Sequence, residues 1–124
     1  MRCIFIGGKE LGCKALKILL NHKIKPLLVI GNMDDAGKHN IWHRSVIYLA
    51  KKNKIKCLVK KKLSKNQHLV TLKNIDIIFC IGSTQIMPKK ILKLPKLGCL
   101  NIHPSLLPKY RGRFSTLSSI INGD

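Results

Sequence analysis

Arg2-Cys3-Ile4-Phe5-Ile6-Gly7-Gly8-Lys9-Glu10-Leu11-Gly12 is the stretch that decides the fold. A short apolar run stopped by two glycines and followed at once by helix-period residues is a buried strand turning directly into a helix. From Lys9 to about His22, the residues Leu11, Ala15, Ile18, Leu19 and His22 recur at helical spacing, with Lys14 and Lys17 opposite. This predicts an amphipathic helix packed on a sheet.

The same unit recurs along the chain. Pro26 to Ile30 reads as a second strand that ends in Gly31-Asn32 and opens a polar loop, Met33 to Asn40, holding Asp34 and Asp35. Trp42, Val46, Leu49 and Ala50 predict a second helix over Ile41 to Lys52, and Ile55 to Val59 a third strand. Ser64 and Gln67 form a capping box for a short helix carrying Leu69, Val70 and Leu72. Ile75 to Ile81 is the fourth strand, and Pro88 opens a helix that runs to Leu94 and stops at Pro95. Cys99 to Ile102 is the fifth strand, and Phe114, Leu117, Ile120 and Ile121 lie at helical spacing before Asn122-Gly123. This alternation predicts an α/β domain: a Rossmann-like, doubly wound, mostly parallel sheet with flanking helices. Ligands sit outside the carboxyl ends of such strands, here Gly7-Gly8, Gly31 to Asp35, Gly82 to Met87 and Asn101 onward.

Composition fits one globular domain. The 124 residues carry 24 Lys and Arg against 5 Asp and Glu, a net charge of +19, with 45% apolar residues. That apolar share excludes a disordered polycation. The basic residues are mostly scattered lysines, which read as a solvated basic surface that also admits an anionic partner. No apolar run is long enough to span a bilayer and the start lacks a signal-peptide layout, so the expectation is a cytoplasmic protein without membrane contact. Cys3, Cys13, Cys57, Cys80 and Cys99 form no CxxC pair and read as reduced core thiols, with no metal site expected.

Three features carry less than they first suggest. The Gly7 to Gly12 turn resembles a dinucleotide fingerprint, with Asp34 at the distance of a ribose-binding carboxylate, but Lys9 stands where backbone would have to approach pyrophosphate. The glycines therefore read as a tight turn. His39 and His43 have a metal-ligand spacing with nothing to complete a shell. Lys51, Lys52, Lys54, Lys56 and Lys60 to Lys62 flank the third strand as a charged rim without interleaved aromatics.

The strong signal is Asn101-Ile102-His103-Pro104-Ser105-Leu106-Leu107-Pro108-Lys109-Tyr110-Arg111-Gly112, leaving the fifth strand at its carboxyl end. Asn101 and His103, two apart in extended chain, point the same way and can address one atom. Pro104 and Pro108 restrict the backbone, and Arg111-Gly112 adds a fixed cation at a turn.

This string resembles the signature of the folate-dependent formyltransferases, the family of the methionyl-tRNA, glycinamide ribonucleotide and nucleotide-amino-sugar N-formyltransferases. The similarity extends through Ile86-Met87-Pro88-Lys89-Lys90-Ile91-Leu92, Leu97-Gly98-Cys99 and Ile121-Asn122-Gly123-Asp124. The resemblance implies that Asn101 and His103 are catalytic. It also implies that Ser83, Thr84, Gln85, Ile86 and Met87 surround the pterin of 10-formyltetrahydrofolate, and that Tyr110, Arg111 and Arg113 bind the acceptor. The family's catalytic Asp lies in a later loop, so residues 1–124 are expected to be a formyltransferase N-terminal domain that stops before it.

The residue types suit the chemistry. An amine attacking a formyl carbon builds negative charge on the carbonyl oxygen, which a neutral amide N–H and a histidine can stabilise. Histidine, titrating near neutrality, can also move the proton that the amine releases. The continuation Arg113-Phe114-Ser115-Thr116 is similar to that of sugar N-formyltransferases, which favours a nucleotide-linked amino sugar as acceptor. Methionyl-tRNA is the alternative, drawn by the positive charge. A folate- or anion-binding fragment without turnover, and a basic RNA-binding protein, are the non-enzymatic rivals. Oligomeric state is left open.

Overall fold

A computed structural model of the chain describes residues 1–40, 42, 44–59, 63, 72–112 and 114–124. Five strands, β1 (Cys3–Gly7), β2 (Leu28–Gly31), β3 (Cys57–Val59), β4 (Ile77–Ile81) and β5 (Cys99–Ile102), form one sheet in the order β3-β2-β1-β4-β5. Every neighbouring pair is parallel. Among the described residues four helices accompany them: α1 (Lys9–Asn21), α2 (Val46–Lys52), α3 (Lys89–Leu92) and α4 (Ser115–Ile121).

Alternate side chains of the strands feed two cores. Phe5, Val29 and Ile81 pack with Cys13 and Leu16 of α1 and with Val46, Ile47, Leu49 and Ala50 of α2. Ile4, Ile6, Leu28, Ile30 and Ile78 pack on the opposite face with Leu63, Ile75 and Ile91. All residues of β1 and β2 are buried, as expected of central parallel strands covered on both faces. The chain winds outward from β1 to β3 and then crosses to β4 on the other side of β1. The switch point is therefore between β1 and β4, where a doubly wound sheet opens its crevice.

Two close contacts define that crevice. Gly82 has φ +66, and a Cβ there would lie 2.3 Å from the carbonyl oxygen of Gly8, so only glycine fits. Asn32, buried at the end of β2, donates from Nδ2 to the Gly82 carbonyl at 2.9 Å and accepts from the Thr84 N–H at 3.1 Å. One amide thereby fastens the loop after β4 to the loop after β2, across β1.

Several boundaries differ from the sequence reading. The helix expected from Ile41 starts at Val46, and Trp42 is 86% exposed. A polar cap sets the start: the Ser45 hydroxyl accepts from the Tyr48 N–H, while Asp35 accepts from the Val46 and Ile47 N–H groups and from the Ser45 hydroxyl. The most buried face of α1 is Gly12, Cys13 and Leu16; of the expected stripe Ala15 and Leu19 pack on the core, while Leu11 and Ile18 are exposed. Here a Cβ on Gly12 would meet the Ile81 carbonyl oxygen at 2.8 Å, so the helix turns its smallest residue to the sheet. Strands β2, β3 and β4 begin two residues later than expected, Ile75 being core but not strand. Pro88 is the N-cap of α3 rather than its first residue, and α3 ends at Leu92, not Leu94. The capping-box helix at Ser64 and Gln67, with Leu69 and Val70, lies outside the described residues, as do Lys60 to Lys62.

All five cysteines are free, and Cys3, Cys13 and Cys80 are buried. Burial pushes the Cys13 thiol up to about 11, and the nearby Asp35 and Glu10 carboxylates act in the same direction.

Asn32→Ala removes a donor and an acceptor and strands the half-buried Gly82 carbonyl. It is expected to lower the unfolding free energy by about 2 kcal/mol in urea titration; an unchanged midpoint would show that the clasp contributes nothing. The Cys13 thiol stays neutral when folded but ionises above the ordinary value of 9.0 when unfolded. Its stabilising effect is complete below that pH and is lost as pH rises towards about 11. Thermal melts over this range are expected to show a steeper alkaline loss for the native chain than for Cys13→Ala.

Candidate active site at the carboxyl ends of β4 and β5

Parallel pairing of β4 and β5, with Cys80 opposite Asn101 and Ile81 opposite Ile102, makes their following loops leave the sheet side by side. Gly82 and His103 thus leave the sheet from neighbouring strand ends. Asn101 is exposed near the end of β5, and half-buried His103 follows immediately after the strand.

The imidazole of His103 is held from below. Its Nε2 lies 2.9 Å from the carbonyl oxygen of Tyr110. A carbonyl only accepts, so Nε2 carries a proton, and the neutral tautomer this selects has Nδ1 as its acceptor. The Ser105 hydroxyl lies 3.2 Å from the same oxygen and 3.3 Å from the Lys109 carbonyl. Backbone bonds from Ser105 to His103, Leu107 to Ser105 and Lys109 to Leu106 coil the segment tightly, with a cis bond at Leu107-Pro108.

Tyr110 has φ 52, the left-handed region, which a bulky residue occupies only when its surroundings hold it. Its hydroxyl donates to Asp124 Oδ2 at 2.8 Å, and Lys109 Nζ reaches the same oxygen at 3.2 Å. These donors, the tyrosine first, hold the Asp124 carboxyl below its ordinary range. The hydrogen bond to that carboxylate raises the Tyr110 phenol in turn. Arg111 is exposed and donates from Nε to the Pro108 carbonyl at 2.9 Å. Of the residues expected to meet the acceptor, Tyr110 thus has its hydroxyl on Asp124 and Arg111 has one nitrogen in the turn. Arg113 lies outside the described residues.

The loop after β4 is shaped from within. The Gln85 N–H donates to the Ser83 hydroxyl at 3.1 Å, and Gln85 Oε1 accepts from the Leu63 N–H at 3.1 Å. The Thr84 N–H goes to Asn32, and Met87 packs against the core around Ile91. Ile86 alone of the five is turned fully outward, at 94% exposure. Beneath the loop, burial raises the Cys80 thiol, offset in part by its hydrogen bond with Ser83.

On the β1 and β2 side of the same edge lies a cleft of about 450 Å³, lined among others by Lys9, Asp34, Lys38, Trp42 and Arg44. Arg44 Nε pairs with Glu10 at 3.1 Å, and the His39 ring stacks on Tyr48 and accepts from the Ser45 N–H. The partner of His39 in the sequence pattern, His43, lies outside the described residues. Among the described residues no three His, Cys, Asp or Glu side chains gather as a metal site would require. Sequence reading missed Asn32 and Asp35, whose roles depend on contacts across the sheet edge. The cleft itself lies where the sequence points, at the Gly31 to Asp35 strand end that carries Asp34.

The family model described as formyl transferase matches residues 1–124. A methionyl-tRNA formyltransferase of Orientia tsutsugamushi is 36% identical over 128 residues, covering 100% of this chain and 42% of the relative. The bifunctional polymyxin resistance protein ArnA of Wigglesworthia glossinidia brevipalpis is 36% identical over 126 residues, covering 100% of this chain and 19% of the relative. The chain therefore spans about two fifths of the length of the first of these and less of the second. Among solved structures, phosphoribosylglycinamide formyltransferase from Anaplasma phagocytophilum superposes with a TM-score of 0.71 at 23% identity, over 98% of this chain and 58% of that one. Glycinamide ribonucleotide transformylase 1 from Geobacillus kaustophilus superposes with a TM-score of 0.72 at 21% identity, over 100% of this chain and 69% of that one. These two likenesses show the fold. With the whole chain matched by the family model, and with the Asn101 to Gly112 segment leaving the end of the strand next to β4, this chain belongs to the formyl transferase family.

Proposed function

We propose that the chain carries the donor pocket and two catalytic groups for formyl transfer from 10-formyltetrahydrofolate to a primary amine. The observation that carries the reading is that the Gly82 to Met87 loop and the Asn101 to His103 segment start from neighbouring parallel strand ends, in the β4 and β5 register. A flat, partly polar ring suits the first loop, where Ile86 offers exposed apolar surface and Asn32 holds the backbone of Gly82 to Thr84 rigid. The folate supplies the formyl group as a substrate.

The side chains divide the work. As the amine nitrogen bonds to the formyl carbon, negative charge grows on the formyl oxygen, and the Asn101 amide donates to it without titrating. Neutral His103 has its one N–H on the Tyr110 carbonyl, so Nδ1 is the atom left to accept the proton of the attacking amine. His103 becomes a donor towards the site only after that transfer, when Nδ1–H can pass a proton to the departing nitrogen.

The acceptor we assign is the amine of a nucleotide-linked amino sugar. The Arg113-Phe114-Ser115-Thr116 continuation supports it, as does the cleft beside β1, where an exposed indole and the cations Lys9 and Lys38 suit a base and a diphosphate. A methionyl-tRNA acceptor is the second reading, favoured by the name of the Orientia tsutsugamushi relative and by the charge of +19. Free cysteines accord with a cytoplasmic setting in either case.

Asn101→Ala and His103→Ala are each expected to cut kcat/KM for formyl transfer by roughly 10²- to 10⁴-fold with the fold retained by circular dichroism. Near-native activity in either variant would remove that residue from the mechanism. In parallel assays of the intact protein, nucleotide-linked amino sugars are expected to be formylated and methionyl-tRNA to be left unmodified. The reverse result, with an activity that falls steeply with salt, establishes the tRNA reading. Folate binding without turnover on any amine would mark a binding module.

A further inference from the structure

We propose that Ser105 and Asp124 are positioning residues for His103, acting together through the backbone carbonyl of Tyr110. The inference rests on the reading of His103 as a catalytic group and concerns how its proton is kept on Nε2. An imidazole rotates about two bonds and exchanges between two tautomers, so a single acceptor fixes it only if that acceptor is itself fixed. The Tyr110 carbonyl is such an acceptor because the residue is tied at both ends. At the side-chain end, the hydroxyl is bound to Asp124 at 2.8 Å, with Lys109 on the same carboxylate oxygen. At the backbone end, the Ser105 hydroxyl and His103 Nε2 converge on the carbonyl oxygen, at 3.2 and 2.9 Å.

The left-handed backbone of Tyr110 makes the tie necessary. At φ 52 a tyrosine is in a region it leaves readily when nothing restrains it, and a change of φ swings the adjoining peptide groups. Asp124 is anchored in turn, since its N–H donates to the Ser119 carbonyl at 3.0 Å just beyond the end of α4. The end of α4 is thereby connected to the catalytic ring through one tyrosine. Neither Asp124 nor Ser105 touches the His103 ring in this arrangement; both act on the group that holds it.

The test reads the ring nitrogens of His103 by NMR in uniformly ¹⁵N-labelled protein, the signals being assigned by their loss in His103→Gln. A protonated Nε2 and an unprotonated Nδ1 are expected in the native protein. In Asp124→Ala, Tyr110→Phe and Ser105→Ala both signals are expected to move towards the average of a free imidazole, and kcat to fall roughly three- to tenfold with KM unchanged. Ser105→Thr, which keeps the hydroxyl, should restore both readouts. A proton on Nδ1 in the native protein, or ring signals that do not respond to Asp124→Ala and Tyr110→Phe, would overturn the proposal. The spectrum is recorded without substrate, so a protein that shows the expected nitrogens yet formylates no amine refutes the functional reading and leaves the brace standing.

Discussion

The close approach of the Gly7-Gly8 turn to the end of β4 is the contact on which the rest of the molecule depends. It brings Gly82, at φ +66, against the Gly8 carbonyl, and it requires α1 to present Gly12 to Ile81. Given that approach, the loops after β2 and β4 are near enough for one buried amide of the first, Asn32, to make two bonds to the second. Remove the approach and the amide has nothing to span. The crevice at the switch point then loses its floor, and the Gly82 to Met87 loop loses its fixed relation to β5.

The site sits where burial is thinnest. Strand β1 is buried at every residue, whereas β5 is partly buried at Cys99 and exposed from Leu100 to Ile102. Hydrophobic burial therefore cannot set the positions of Asn101 and His103 as it sets those of Ile4 or Ile30. Register with β4 and a set of hydrogen bonds do so instead. The bonds concentrate in the ten residues after β5, which coil back so that Tyr110 closes on His103. A site built this way holds its groups precisely in distance while leaving them accessible to substrates.

Apolar runs and glycines made the sheet legible. β5 falls on Cys99 to Ile102 as the sequence suggests, and the alternation of strand and helix is enough for the parallel doubly wound order. Periodicity misled where polar or small residues govern. Trp42 fits a helical repeat with Val46, yet Asp35 and Ser45 start α2 after it, and no spacing rule announces a cap delivered from ten residues upstream. In α1 the pattern holds at Ala15 and Leu19 but not at Leu11 and Ile18, because Gly12, Cys13 and Leu16 lie deepest against the sheet. In the site, the sequence names the residue types but not the atoms. That His103 spends Nε2 on a backbone carbonyl, so that Nδ1 is the nitrogen we propose meets substrate, follows only from the left-handed turn at Tyr110.

Charge acquires a different meaning once its partners are known. With 24 basic residues and 5 acidic ones, most lysines have no carboxylate to pair with, and the net charge is a diffuse background. The acidic residues carry the specific information because they are scarce. Glu10 pairs with Arg44 and Lys14 at the mouth of the cleft. Asp35 caps α2, and Asp76 exchanges bonds with Arg2 where β1 and β4 begin. Asp34 lines the cleft, and Asp124 ties Tyr110. An exposed ion pair such as that of Asp124 with Lys109 is weak on its own in water. Its effect lies in geometry: a second donor, the Tyr110 hydroxyl, shares the same oxygen, and the opposite end of that tyrosine carries the carbonyl that fixes the histidine. In a chain so poor in carboxylates, one of five thus stands two hydrogen bonds from the His103 ring.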